Sequence, residues 1–385
     1  MDHPLIRVAV LGSTGSIGCQ TLDVIRACPD RFRVVALAAG RNTDLLARQV
    51  EEFAPAMVAC SSPEALRERL DEAQSRRVQL LTMEEMAREP EVDIVVSAVV
   101  GRDGLSPTLA ALSVGKVVAL ANKEAMVMAG SLVSATATRG AAEIRPVDSE
   151  HSAIWQCLAG EDPAHVRRVI ITASGGALRD LPPEDLAEVG PEEALAHPNW
   201  RMGKRVTIDS ATLFNKGLEV IEARWLFDVP FERIEVLMHR ESVIHSMVEM
   251  VDGSVKAQLS SPDMRLPIQY ALSYPERVPL DLPALDFAAL GALHFAAPDM
   301  ERHPCLGLAL AAGAKGGTYP AALAAADEEA VAAFLEGRLP FLDIPRLLAD
   351  TLDRHNPTAH PDLDEIMAAD EWARQFAREW RGSRS

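Results

Sequence analysis

The sequence predicts an α/β protein: an N-terminal doubly wound parallel sheet, an α+β central domain and a small helical C-terminal domain. Three observations carry this. Between residues 5 and 148, apolar strand-like runs ("IRVAVLG", "RVVALAAG", "AMVAC", "VDIVVSAVV", "KVVALAN", "AEIRPVD") alternate with helical stretches such as "TDLLARQVEEF", "PEALRERLDEA" and "EAMVMAGSLVSATATRG". That alternation specifies a mostly parallel sheet, because each parallel strand needs a long crossover. After Asp148 the pattern changes. A strand, "VRRVIITASGG" (166–176), precedes a Pro-rich acidic loop reaching "AHPNWRMGKR" (196–205), then a helix at about 213–227. "ERIEVLM", "SVIHSMVEM" and "SVKAQLS" follow as strands, the last two joined by the turn pair Asp252-Gly253. From Pro304 onward, "YPAALAAADEEAVAAFLEG" and "DEIMAADEWARQFAREWR" have helical periodicity. The expected division is residues 1–148, 149–273 with a mobile lid at 196–205, a Pro- and Leu-rich linker at 274–300, and 301–385.

Bulk properties narrow the function. With 385 residues, 48% of them hydrophobic, the chain can bury a large core in two or three domains. A net charge of −18, from 38 Lys and Arg against 56 Asp and Glu, sets it against nucleic acid and anionic membrane surfaces. Cys19, Cys28, Cys60, Cys157 and Cys305 form no C-x-x-C pair and read as reduced cytosolic thiols. The start "MDHPLIRVAV" lacks the basic and apolar regions of a signal peptide, and no run reaches the roughly 18 apolar residues of a membrane span. A cytoplasmic protein is expected.

"VAVLGSTGSIGCQTLDVI" (8–25) runs from strand through Gly12, Gly15 and Gly18 into a helix. Such a turn lets backbone approach an anion at a helix N-terminus, and G-x-x-G-x-x-G is a variant of the dinucleotide fingerprint. A plain tight loop is the alternative. The next strand, "FRVVALAAGRN" (32–42), ends about 20 residues later, where a Rossmann-like fold meets the adenosine ribose. An acid there would suit NAD. Arg41 instead offers charge to a 2′-phosphate, which points to NADP(H), although a solvated surface arginine has the same sequence. Ligands of such sheets bind beyond the carboxyl ends of the strands, where "VVGRDG" (99–104) and "ANKEA" (121–125) also fall. The expected cofactor contacts are Ser13, Thr14, Gly15, Ser16, Ile17, Gly40, Arg41, Asn42, Asn122, Lys123 and Glu124, with Gly203 from the lid.

Asp148 and Glu150 in "PVDSEHSAIW" stand two apart at a strand end, so an extended backbone would point both to one spot. Paired carboxylates need a shared proton or a cation, and hard oxygens suit Mg2+ or Mn2+. An exposed acidic turn, or helix capping by Ser149 or Glu150, fits the same residues. In "DSATLFNKGLEVIEARWLF" (209–227), Asp209, Ser210 and Thr212 are candidate N-caps, Asn215 and Lys216 occupy the first turn, and Glu219 follows one turn later. Those donors suit a phosphate monoester and Glu219 could complete a three-carboxylate site, with Glu222 a weaker candidate. An ordinary capped helix with a Lys-Glu pair is the alternative. Ser174 in "TASGG" (172–176) could face phosphate or only make a turn. "HPNWRMGKR" gathers His197, Trp200, Met202 and several cations between Pro198 and Gly203, a loop able to close over an anionic substrate; its histidine could contact phosphate, move protons, or simply be surface polar.

In order, "GSTGSIG", "AGRN", "ANKEA", "VDSEHSAIWQCL", "ASGG", "HPNWRMGKRVTIDSATLFNKGLEVIEARWLF", "IHSMVE" and "SPDMRLPIQYAL" closely resemble the 1-deoxy-D-xylulose 5-phosphate reductoisomerase family over residues 5–275. The resemblance implies a cation (Mg2+ or Mn2+, with Co2+ a third candidate) on Asp148, Glu150 and Glu219. It also implies phosphate on Ser174, Ser210, Asn215 and Lys216, substrate oxygens at Ser149 and Lys123, and a lid containing His197, Trp200 and Met202. Lys123, Ser149, Glu150 and His197 are the catalytic candidates it gives, with Trp200 among the substrate contacts. The implied reaction rearranges a hydroxyketone sugar phosphate to a branched aldehyde, which NADPH reduces to 2-C-methyl-D-erythritol 4-phosphate, for isoprenoid precursor synthesis by a homodimer. The chain departs from the family in "SGGAL" (174–178), where "SGGPF" is usual, and in "HRES" (239–242), where "HPQS" is usual. These touch local loop geometry and any role of His239 or Glu241, and His245 reads as structural. Two rivals remain: a semialdehyde dehydrogenase of the acyl-phosphate type, which needs a cysteine nucleophile such as Cys157, and an NADPH-sensing regulator without chemistry.

Overall fold

The computed structural model describes residues 5–382, so Met1–Pro4 of the N-terminal stretch discussed above lie outside the described residues. Two compact units emerge. The first comprises residues up to Ala125, Val133–Ser152 and Asp263–Leu282; the second comprises Met126–Leu132, Ala153–Pro262 and the chain from Pro283. Helices of eight residues or more are numbered below.

The first unit begins with β1 (Ile6–Leu11), α1 (Ser16–Ala27), β2 (Phe32–Ala39), α2 (Thr43–Phe53), β3 (Met57–Cys60), β4 (Gln79–Leu80) and β5 (Ile94–Ser97). It continues with α3 (Leu105–Ser113), β6 (Val117–Leu120), α4 (Lys123–Gly140), β7 (Glu143–Pro146) and the start of α5 (Ser149–Leu158). The seven parallel strands run in the order β4-β3-β2-β1-β5-β6-β7. Helices cover both faces of such a sheet, so its strands read as unbroken apolar runs: Val8, Ala9, Val10 and Leu11 are all fully buried. β1 pairs with β2 on one side and β5 on the other, the point where strand order reverses and ligands of these sheets bind.

The second unit holds β8 (Val166–Ala173), α6 (Lys204–Ala211), α7 (Phe214–Leu226), β9 (Ile234–Met238), β10 (Ile244–Met250) and β11 (Val255–Leu259). Its sheet order is β11-β10-β8-β9, with β8 parallel to β9 and β10 antiparallel to both neighbours. The β10–β11 hairpin turns at Asp252-Gly253, where Gly253 has φ 86°. The helix expected at about 213–227 is α7, and α6 precedes it where the sequence reads as loop. Leu213 sits in the left-handed region (φ 57°) and breaks the chain between α6 and α7.

The consecutive segments expected at residues 149–273, 274–300 and 301–385 are redrawn. The helix α8 (Arg265–Ser273) belongs to the first unit because Ile268, Ala271 and Leu272 join its core, and Arg145 Nη1 donates to the Ala271 carbonyl at 3.0 Å. The expected linker divides at Leu282/Pro283. The C-terminal region is helical: α9 (Pro304–Lys315), α10 (Tyr319–Leu335), α11 (Asp343–Arg354) and α12 (Leu363–Glu379). Ala322, Ala325 and Ala373 form a small cluster within it, but its larger core is shared. Cys305, Ala309, Leu323, Phe334 and Leu348 pack in one cluster with Ile208, Ala211, Phe214 and Leu218. No helix among the described residues is long and apolar enough to cross a membrane.

Candidate active site

The glycine turn after β1 is shaped by steric necessity. Gly12 has φ 89°, and a Cβ there would stand 2.4 Å from the Ala98 carbonyl oxygen. A Cβ on Gly18 would lie 2.2 Å from the Gly12 oxygen, so only glycine lets α1 pack onto the turn. Gly15 is the N-cap of α1 with no side-chain cap, which leaves the first N–H groups of the helix to an anion. Thr14 and Ile17 are half-buried; Gly15 and Ser16 are exposed. The Ser13 side chain is buried and donates to Gln49 Oε1 at 2.7 Å, bracing the turn. Gly40, Arg41 and Asn42 are exposed at the end of β2, where Asn42 caps α2 by accepting from Leu45 N.

Asn122 likewise caps α4, accepting from Ala125 N at 2.9 Å, and its amide donates to the Val99 and Gly101 carbonyls at 2.6 and 2.9 Å. This fixes the loop after β5 against the start of α4. Glu124, beside it, is buried. Lys123, between Asn122 and Glu124, places Nζ 2.7 Å from Asp148 Oδ2. Burial alone would push the Asp148 carboxyl up, but Lys123 and His151 outweigh it and hold the group well below the usual range. Asp148 is therefore ionised.

The extended geometry expected for Asp148 and Glu150 is also corrected. The Ser152 amide donates to the Asp148 carbonyl at 2.9 Å, so α5 begins at Ser149 and Asp148 is the residue before its first turn. The Glu150 amide faces Asp148 Oδ1 at 3.4 Å, and Ser149 Oγ donates to Glu150 Oε2 at 2.5 Å. His151, which the sequence reading passed over, is fully buried 3.9 Å from Asp148 Oδ1. Its position beside the two carboxylates in "DSEH" was the available signal.

In the second unit, Ser174 Oγ lies 3.0 Å from His197 Nε2, and Gly176 N donates to the same hydroxyl. His197 Nδ1 accepts from the backbone N–H groups of Asn199 and Trp200 at 3.1 and 3.0 Å. The proton therefore sits on Nε2, which donates toward Ser174. Burial, with Arg179 nearby, lowers the His197 pKa to about 4, so the ring is a neutral donor at pH 7. Between its ordinary value and about 4 the unfolded chain takes a proton that the folded chain refuses, so His197 removes stability as pH falls through that window. Comparing ring NMR spectra of wild type and His197→Gln should show the His197 signal titrating near pH 4; titration near its ordinary value would refute the assignment.

Trp200 meets His245 edge-on at 5.9 Å, and His245 Nε2 lies 2.9 Å from Ser260 Oγ. Met202 is half-buried, and Asn199 donates to the Arg240 carbonyl and to Ser242 Oγ. The loop is shorter than expected because Gly203 is the N-cap of α6, which takes Lys204 and Arg205 into a helix. Asp209 and Ser210 accordingly lie inside α6 instead of capping α7; of the three candidates, Thr212 Oγ1 accepts from Phe214 N at 3.2 Å. On the first turn of α7, Asn215 Nδ2 donates to Glu219 Oε1 at 2.5 Å and Lys216 Nζ pairs with Glu219 Oε2. Glu219 is 1% exposed, and Glu222 one turn on is equally buried. In the "HRES" departure, Glu241 lies 2.6 Å from His294 Nδ1 and 3.1 Å from His239 Nδ1.

The chemistry available is anion binding at α1 and on Ser174, His197 and α7, with hard carboxylate oxygens on Asp148, Glu150 and Glu219. A cysteine nucleophile is not available at Cys157. Burial pushes that thiol up to about 11.

Relatives agree along the whole chain. A 1-deoxy-D-xylulose 5-phosphate reductoisomerase profile matches residues 8–130, its C-terminal domain profile matches 144–227, and a DXP reductoisomerase C-terminal domain profile matches 259–376. The 1-deoxy-D-xylulose 5-phosphate reductoisomerase of Geobacillus kaustophilus (strain HTA426) is 54% identical over 375 residues, 96% of this chain and 98% of its own. The protein of that name from Heliobacterium modesticaldum (strain ATCC 51547 / Ice1) is 54% identical over 380 residues, covering 97% of each chain. Among solved structures, that of the Zymomonas mobilis reductoisomerase with NADPH superposes with TM-score 0.90 at 43% identity, covering 97% of this chain and 98% of its own. A DOX-P reductoisomerase with NADPH, fosmidomycin and magnesium reaches TM-score 0.92 at 40% identity, again over 97% and 98%. With both the α/β fold and nearly the full length shared at these identities, the chain belongs to the 1-deoxy-D-xylulose 5-phosphate reductoisomerase family.

Proposed function

We propose that this chain rearranges 1-deoxy-D-xylulose 5-phosphate and reduces the product to 2-C-methyl-D-erythritol 4-phosphate, using NADPH and a divalent cation, in isoprenoid precursor synthesis. The carrying observation is the likeness, over 97% of the chain, to a reductoisomerase that holds NADPH, fosmidomycin and magnesium. The donor set fits the cation: Asp148 is ionised and Glu150 and Glu219 already meet donors, giving three hard oxygen ligands of the kind Mg2+ or Mn2+ takes. When bound, the cation supplies Lewis acidity toward the substrate's neighbouring oxygens and NADPH supplies the reducing equivalents.

The chain's own residues do the rest. Lys123 keeps Asp148 charged and, with Ser149, binds substrate oxygens. Ser174, Ser210, Asn215 and Lys216 bind the phosphate, with His197 giving its Nε2–H. Phosphate binding supplies remote binding energy that positions the reacting carbons. Trp200 and Met202 cover the site, and water is excluded from a reactive aldehyde. The cofactor lies along Thr14–Ile17, Gly40–Asn42 and Asn122–Glu124, with Gly203 at its nicotinamide end. Mn2+ and Co2+ are accepted in place of Mg2+, and the enzyme works as a cytoplasmic homodimer.

The deciding assay follows NADPH absorbance with 1-deoxy-D-xylulose 5-phosphate, with and without chelator. Consumption that chelator abolishes is expected; NADPH binding without consumption would leave the sensing reading instead. Cofactor choice gives a second test. Arg41 is exposed at the end of β2, and a charge-assisted bond to a 2′-phosphate is worth about 1.5–3 kcal/mol. Arg41→Ala should weaken NADPH binding by about tenfold or more while sparing NADH. Equal losses for both would remove Arg41 from the adenosine pocket.

A further inference from the structure

α10 carries an acid into the core of the second unit. Asp327 is fully buried, and neither of its carboxylate oxygens has a hydrogen-bond donor among the described residues. Arg205 Nη2 on α6 is 3.9 Å from Asp327 Oδ2, beyond hydrogen-bonding reach. Facing it from α6 is Asp209, also buried, with Oδ2 3.6 Å from Arg205 Nε.

The surrounding charges do not neutralise this pair. Arg205 binds Glu328 on α10. From α12, Arg374 reaches Glu328 at 2.5 Å, Asp370 at 2.7 Å and Glu329 at 3.5 Å, and Arg378 reaches Glu329 at 2.7 Å. Asp209, Asp327, Glu328, Glu329 and Asp370 thus share Arg205, Arg374 and Arg378. On α9, burial and then the two aspartates push the Cys305 thiol well up, so it stays neutral. Burial and then Asp209 likewise push the Asp327 carboxyl well above its ordinary value, against the pull of Arg205. Two facing carboxylates are both acceptors. A single proton between them removes one buried charge and makes the missing hydrogen bond.

We propose that Asp327 is a positioning residue for substrate binding: as the protonated partner of Asp209 it donates the hydrogen bond that seats α6, where Ser210 follows Asp209 directly. This rests on Ser210 being a phosphate ligand, as argued above. Asp327 touches no substrate; it acts through α6.

Asparagine can donate as the protonated acid does, and leucine cannot. Asp327→Leu should raise KM for 1-deoxy-D-xylulose 5-phosphate about tenfold, the loss of one buried bond to a charged acceptor, with kcat and NADPH affinity little changed. Asp327→Asn should restore the wild-type KM. Wild-type KM should climb as alkaline pH strips the shared proton, and Asp327→Asn should flatten that climb. Infrared spectra at pH 8 should show a protonated carboxylic acid in wild type that Asp327→Asn lacks. Should the leucine variant fail to fold, the infrared band and the pH profile of Asp327→Asn decide. An unchanged band, or an asparagine variant with the wild-type pH profile, overturns the proposal. Ser210→Ala separates the two readings. If it leaves KM unchanged, the phosphate assignment fails and the proposal with it; if it raises KM while Asp327→Leu does not, the positioning role alone is lost.

Discussion

Glu219→Gln is expected to lower kcat/KM by about a thousandfold, because a divalent cation contributes several kcal/mol of charge stabilisation to such a reaction and this acid is one of its three proposed ligands. The side chain is well placed to show the effect cleanly. It is 1% exposed on α7, and Asn215 and Lys216 hold its two oxygens. Glutamine keeps the shape and removes the charge, at the cost of the buried Lys216–Glu219 ion pair. Thermal melting therefore belongs beside the kinetics. A lowered melting temperature with unchanged kcat/KM would make Glu219 a structural counter-ion and exclude it as a ligand. The matching experiment on the unaltered protein is chelation: activity should vanish and return on adding Mg2+ or Mn2+, and full activity with chelator present would sink the metal assignment for all three carboxylates.

The sheet and the site were legible to different degrees, for physical reasons. Six of the seven strands of the first unit announce themselves as apolar runs between helices, since a parallel strand is buried on both faces. β4 does not, because two residues carry no period. α7 is legible as one helix, but α6 before it is not, because its N-cap is Gly203 with no side-chain hydrogen bond to mark a start. The compact units cut across the expected segments for a related reason. α8 and the C-terminal helices advertise helicity, but which core they complete depends on contacts far along the chain, such as Arg145 to Ala271 and Leu323 to Ile208's cluster.

At the site, residues whose role depends on spacing along one helix were readable, and Asn215, Lys216 and Glu219 meet as their i+4 and i+3 positions predict. Pairings between distant segments were not. Nothing in "ANKEA" shows that Lys123 ends 2.7 Å from Asp148, and nothing in "HPNWRMGKR" shows that His197 Nε2 ends 3.0 Å from Ser174 Oγ. Both facts are tertiary. They decide which groups are charged, which local pattern cannot do.

Trp200→Ala should reduce turnover about a hundredfold while leaving NADPH affinity nearly intact, the size of loss that follows when a covering group no longer fixes substrate geometry. A reactive aldehyde must stay enclosed between rearrangement and reduction, so the proposed lid has to be ordered by the ligand. Trp200 is the residue through which that order would be transmitted. Its backbone N–H donates to His197 Nδ1 at 3.0 Å, and its ring stands edge-on to His245 at 5.9 Å. Alanine keeps the backbone bond and removes the ring, so His197 should stay a neutral donor toward Ser174 while the apolar cover is lost. Turnover and cofactor binding then part company, as they would not if the variant merely unfolded. Limited proteolysis reads the same motion directly: substrate, or a substrate-like phosphonate, should slow cleavage between residues 196 and 203 in wild type but much less in Trp200→Ala. Cleavage at equal rates with and without ligand in wild type, or a variant with undiminished turnover, would place the cover on some other segment.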